Sequence, residues 1–194
     1  MGGGDKSLRT LAGQSIMRRV VDAVRPQVGP LVLNAGGDPG RFGEFGLPVV
    51  ADVVTDGAGG GLGPLAGVLT GLEWARVHVP AARRVATFAT DTPFLPLDLV
   101  SRLGRALDGE AADIACARSA GRDHFVFALW PVDLAGALRD ALLDEGLRKV
   151  EDWAGRYRVA RAGFSSDPFD PFLNLNRPED LVEAERLLAE GHVR

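Results

Sequence analysis

The stretch Val85–Pro96, VATFATDTPFLP, constrains this chain more than any other. Its first half is a run of small, β-branched and aromatic residues, the composition of a buried strand, and the run stops at Asp91-Thr92-Pro93. Proline fixes φ and holds the preceding residue out of the helical region, so Thr92-Pro93 must turn at the strand's carboxyl end. In open α/β sheets ligands gather just outside those ends. A carboxylate at that place is a candidate metal ligand or catalytic group, and equally a turn or cap residue.

The rest of the chain reads as strands alternating with helices. Ser15 caps a helix to about Arg25, and PLVLN (30–34) and Pro48–Ala51 read as short strands. Pro64 opens a helix to about Arg76, at the position where its missing N–H costs nothing. The strand Arg84–Thr90, a helix Leu97–Leu107, and strands from Ile114 and across His124–Trp130 follow. Two helices, a strand near Tyr157–Ala162 and a last helix from Pro178 to about Glu190 complete the order. This alternation predicts a three-layer α/β/α fold with a mostly parallel, Rossmann-like sheet, helices on both faces and an antiparallel strand late in the order. With 194 residues, one domain spanning 1–194 is expected.

Composition excludes several classes. Basic residues are scattered and the net charge is −4, which argues against a nucleic-acid or anionic-membrane surface. No apolar run is long enough to span a membrane and no signal-peptide core is visible, so a cytoplasmic location is expected. The single cysteine, Cys116, lies in the apolar run IACA and reads as a buried structural thiol. No His/Cys cluster suggests zinc; His78 and His192 read as surface groups, whereas His124 could face a substrate.

Three predicted strands end on polar residues, Asn34, Asp52 and Asp91. In a parallel sheet these gather along one edge, and together they are better explained by a ligand than by three separate turns. The glycine-rich segment VVTDGAGGGLG (53–63) leads into the helix start Gly63-Pro64-Leu65, the form of an anion cradle at a helix amino end. Lys6 follows the glycines of MGGGDK without the spacing of a P-loop, and by itself reads as a surface charge. Lysine, a carboxylate suited to Mg²⁺ and a glycine loop point jointly to phosphoryl or nucleotidyl transfer.

MGGGDKSL, LVLNAG, VVADVV, GPLAGVL, FATDTPFLP and FLNLNRPEDL, in this order, resemble the molybdenum cofactor guanylyltransferases (MobA) of the nucleotidyltransferase superfamily, over essentially the whole chain. The resemblance implies the nucleotide-diphospho-sugar transferase type of fold and transfer of GMP from Mg-GTP to molybdopterin carrying molybdenum. It also implies molybdoenzymes or other cofactor-biosynthesis proteins as partners. By that likeness Lys6 contacts the nucleotide phosphates, Asn34 and Asp52 help hold GTP, and Gly63, Pro64 and Leu65 lie against the guanine. Asp91 binds Mg²⁺, and Asn174 and Asn176 border the acceptor. Two departures stand out. The family's opening strand and phosphate loop, LAGGxSxRMGxDK, is matched only from its Met onward, so the expectation is an N-terminally truncated form whose translation starts upstream. His124-Phe125 stands where the family usually has His-Pro. The alternatives are a cytidylyl or sugar-phosphate nucleotidyltransferase, or a nucleotide- or pterin-binding accessory protein without turnover.

Overall fold

A computed structural model describes residues 6–56 and 61–191. The glycines at positions 2–4, the loop residues 57–60 and His192 lie outside the described residues. The chain opens with a short 3₁₀ turn, Lys6–Leu8, and a small antiparallel ladder of β1 (Thr10–Leu11) and β2 (Gln14–Ser15), which the sequence pattern does not foretell. Helix α1 (Ile16–Val24) follows; its first turn is capped by Ser15, whose side-chain oxygen accepts from the Arg18 N–H. Strands β3 (Leu33–Asn34) and β4 (Val49–Val50) pair in parallel, and both are shorter than their apolar runs suggest.

Next come α2 (Pro64–His78), β5 (Arg84–Thr87), α3 (Leu99–Gly109), β6 (Ile114–Ser119) and β7 (Arg122–Pro131). Then α4 (Ala135–Leu143), α5 (Val150–Ala154), β8 (Val159–Gly163) and α6 (Pro178–Ala189) close the chain. The four longer strands form one sheet in the order β5-β7-β6-β8. Since β7 is antiparallel to both β5 and β6, while β6 and β8 are parallel, β5, β6 and β8 share one direction and β7 alone runs against them. The late antiparallel strand thus lies inside the sheet. A two-residue turn makes this reversal possible, with Ala120 and Gly121 at φ 46° and 77° between the paired Ser119 and Arg122.

Alternation along the strands builds the layers. Ile114 and Cys116 of β6 face a core shared with α2, α4 and α5, whereas Ala115 and Ala117 face one shared with α1 and α3. The molecule is therefore three layers, α/β/α, as expected. Leu99, Leu103 and Leu107 recur at helical spacing and form the buried stripe of α3. Cys116 is fully buried, and burial pushes its thiol up to about 12, in keeping with a structural role. No helix among the described residues is long and apolar enough to cross a membrane.

One feature runs against the sequence reading. VATFAT was expected to be a buried strand, yet Val85 to Thr90 are only half-buried. The reason is geometric. β5 pairs only with β7 and β3 only with β4, so each keeps one flank unpaired among the described residues. Two cavities, of about 550 and 580 Å³, lie between them, both lined by Leu31 and Val32 on one side and Val85, Ala86 and Phe88 on the other.

Candidate active site

The larger part of the site is assembled at the carboxyl ends of β3, β4 and β5. Asn34 is the last residue of β3, and its side-chain N–H donates to the Val50 carbonyl at 3.2 Å. Asp52 follows β4 by two residues. The chain there is pinned to α2 because the Val53 N–H donates to Thr70 Oγ1 (3.1 Å), which in turn donates to the Ala66 carbonyl (2.8 Å). Helix α2 starts at the same level. Gly63, its N-cap, has φ 83°, a conformation that disfavours side chains, and Pro64 occupies the first turn. The helix's amino end is thereby brought beside Asn34 and Asp52.

Asp91 stands where the sequence places it, beyond the end of β5, and the turn that carries it is locked from a distant segment. Its carbonyl accepts from the Leu175 N–H at 2.9 Å, and Thr92, fully buried, donates through Oγ1 to Asn174 Oδ1 at 2.6 Å. The FLNLN segment, which forms neither helix nor strand, is held against the DTP turn by these two bonds.

One cavity of about 550 Å³ is lined by Lys6, Asn34, Asp52, Gly63, Pro64, Asp91 and Asn174. Seven of the nine residues singled out from sequence therefore meet in one place; Leu65 and Asn176 do not. Leu65 is fully buried in the core beneath α2, because the second residue of the helix turns its side chain to the sheet. Asn176 is exposed and off the cavity lining, and its backbone N–H donates to Asp180 Oδ2 at the start of α6.

Lys6, Asp52 and Asp91 form no ion pair or side-chain hydrogen bond with another described residue. Charged groups of both signs thus stand around one cavity with no ion-pair partner among the described residues, an arrangement suited to a ligand that carries phosphate and metal together. Among the described residues there is no group of three or more His, Cys, Asp or Glu side chains able to hold a metal ion. A single free carboxylate at Asp91 fits Mg²⁺, which takes one or two protein oxygens and completes its shell with phosphate and water.

Three contributors lie outside the nine site residues named from sequence. Gly67 lies in α2 where a Cβ would come within 2.8 Å of Asn34 Oδ1, so the helix approaches Asn34 as closely as glycine permits. Thr92 orients Asn174. The third is a slip in the β6–β7 ladder: Cys116 pairs with Ala128 but Ala117 pairs with His124, so Phe125, Val126 and Phe127 bulge from β7, with Phe125 and Val126 on the cavity wall. The only sequence signal for it was the unusual His124-Phe125.

The family described as the MobA-like NTP transferase domain matches residues 1–159. A molybdenum cofactor guanylyltransferase from Rhodopseudomonas palustris (strain BisB5) is 53% identical over 187 residues, covering 96% of this chain and 87% of that protein. One from Bradyrhizobium sp. (strain ORS 278) is 51% identical over 189 residues, 97% of this chain and 87% of its own length. Among solved structures, molybdopterin-guanine dinucleotide biosynthesis protein A from Archaeoglobus fulgidus superposes with a TM-score of 0.71 at 20% identity, over 97% of this chain and 92% of that one. At that identity the likeness speaks for the fold, whereas the family match and the close relatives speak for descent: this chain belongs to the MobA-like NTP transferase domain family.

Proposed function

We propose that this protein transfers GMP from GTP to molybdopterin carrying molybdenum, releasing pyrophosphate and forming the guanine dinucleotide form of the cofactor. The observation that carries the proposal is the meeting of Lys6, Asn34, Asp52, the α2 amino end and Asp91 around one cavity, in a chain about half identical to proteins named molybdenum cofactor guanylyltransferase. In the reaction, a terminal phosphate oxygen of the acceptor attacks the α-phosphorus of GTP. The bond from that phosphorus to the bridging oxygen of the β-phosphate breaks, and pyrophosphate leaves with the electron pair.

Asn34 and Asp52 hold the nucleotide beside the amino end of α2, whose N–H groups favour anionic oxygens. Lys6 places a positive charge where the phosphates build up negative charge in the transition state. Asp91 would hold Mg²⁺, which would supply neutralisation of the phosphate charge. Asn174 borders the acceptor from the far wall. No side chain is required as a covalent nucleophile, so rate enhancement comes from positioning and charge.

The test is to incubate the protein with Mg²⁺, molybdopterin and each nucleoside triphosphate in turn and follow pyrophosphate. Release with GTP alone is the expected result. Release with CTP in its place would reassign the protein to cytidylyl transfer, and tight GTP binding with no turnover would assign it an accessory role.

A further inference from the structure

A polar chain on the α3 face of the sheet is not used by the reaction as derived, and it reaches the active site from behind. Ser119, the last residue of β6, is buried, and its hydroxyl lies 2.7 Å from Asp170 Oδ1 and 2.7 Å from His124 Nε2. A carboxylate oxygen only accepts, so the Ser119 hydroxyl donates to Asp170 and accepts in turn from His124 Nε2–H. That assigns the imidazole proton to Nε2. The same Asp170 Oδ1 also accepts from the Phe172 N–H at 3.0 Å, and the Asp170 carbonyl accepts from the Leu173 N–H at 3.1 Å. The chain is completed by ring contacts: His124 lies 4.8 Å from Phe172, which lies 4.9 Å from Phe127 and 5.2 Å from Phe164.

Both ends of this arrangement lead along the chain to residues of the cavity wall. At one end His124 immediately precedes the bulge that puts Phe125 and Val126 on the cavity wall. At the other, the segment anchored by Asp170 continues within five residues to Asn174, held by Thr92, and Leu175, held by the Asp91 carbonyl. A segment with no regular hydrogen-bond ladder has few means of fixing its conformation, and an exposed asparagine at its tip would otherwise sample many positions.

We propose that Ser119, His124 and Asp170 are positioning residues for the acceptor side of the transfer reaction: the relay fixes the 170–175 segment and the β7 bulge to the sheet, so that Asn174 and the Phe125–Val126 wall are set before the acceptor arrives. The proposal rests on the reading of Asn174 as bordering the acceptor. None of the three relay residues lines the cavity, so they act through others. Either protonation state of His124 supplies the Nε2–H donor, and the relay therefore does not switch around neutral pH.

The 194-residue chain tests this with Asp170→Ala, Asp170→Asn and Ser119→Ala. Asn keeps an acceptor oxygen for both Ser119 and Phe172, so Asp170→Asn should remain within about three-fold of the parent, whereas the other two should raise the acceptor KM or lower kcat roughly ten-fold. The Kd for Mg-GTP should stay within about two-fold in all three. A loss shared equally by GTP binding, or no loss in Asp170→Ala and Ser119→Ala, would overturn the assignment. Amide hydrogen exchange at Leu175 gives a readout independent of turnover. Its partner, the Asp91 carbonyl, is untouched by these changes, and exchange should quicken in Asp170→Ala and Ser119→Ala but not in Asp170→Asn. Unchanged exchange at Leu175 in both would refute the relay even if the parent protein transfers no nucleotide, while quickened exchange without transfer would refute only the functional reading on which the acceptor role depends.

Discussion

Gly67→Ala separates the stability of α2 from its part in ligand binding. A Cβ at position 67 would lie 2.8 Å from Asn34 Oδ1 and 3.8 Å from its Cγ, whereas ordinary contact begins near 3.4 Å. Relief requires a movement of about 0.6 Å at the oxygen. The Asn34 side chain is the part free to move, since it is exposed and held only by the 3.2 Å bond to the Val50 carbonyl. The helix itself gains, because alanine is favoured over glycine in a helix interior by about 0.8–1.0 kcal/mol. Losing one exposed hydrogen bond costs about 0.5–1.5 kcal/mol, toward the low end where water replaces it. The two effects offset, and urea unfolding should place the variant within about 0.5 kcal/mol of the parent. Mg-GTP, measured by calorimetry, should bind about 2- to 12-fold more weakly, the equivalent of one hydrogen bond lost from the cavity. In an Asn34→Ala background the same substitution should change binding no further. An equal loss in that background would show that Gly67 acts through the helix and not through Asn34, and the reasoning would fail.

Replacing Asp91 with Ala should abolish Mg²⁺-dependent pyrophosphate release, because Asp91 is the carboxylate assigned to the metal at the end of β5; near-normal turnover would remove Asp91 from the site. A four-residue apolar strand joined ahead of residue 1 should lodge between β3 and β5. At about 1.5–3 kcal/mol per buried aliphatic side chain the upper bound is about 6–12 kcal/mol, and an unaltered urea midpoint would show that the space does not accept a strand. Burial, the leading cause, and then Arg122 hold His124 below its ordinary value, against the opposing pull of Asp170 and Asp123. The unfolded chain therefore takes up the proton first, so stability is full above about pH 6.5 and falls as the pH drops from there towards the depressed folded value. His124→Gln should flatten that part of the urea-midpoint profile, and an unchanged slope would exclude His124 as its source.

The unpaired flanks of β3 and β5 explain why VATFAT is only half-buried although its composition is that of a core strand. Val85, Ala86 and Thr87 each have a partner in β7 but none among the described residues on the other side, and Phe88 to Thr90 run on past the strand's end at Thr87. The same sequence beside a filled position would be fully enclosed, and composition does not distinguish the two, because strand burial is decided by what lies alongside.

Local chemistry carried much of the rest. Ser15 as a cap, Pro64 at a helix start, Pro178 at another, and Leu99, Leu103 and Leu107 at helical spacing are determined within a turn or two of the chain, and the structure has each of them where the sequence implies. Strand ends rich in Asn and Asp likewise placed Asn34, Asp52 and Asp91 at one edge, because parallel strands bring their carboxyl ends together. Tertiary structure alone decided the remainder. Leu65 faces the core and Asn176 serves α6, although both neighbour residues of the cavity in sequence. Thr92 meets Asn174 across 82 positions, and Ser119 meets Asp170 across 51. Such pairings have no local signature: a buried hydroxyl takes whichever acceptor the fold brings within about 3 Å, and only the packing of the whole chain determines which one that is.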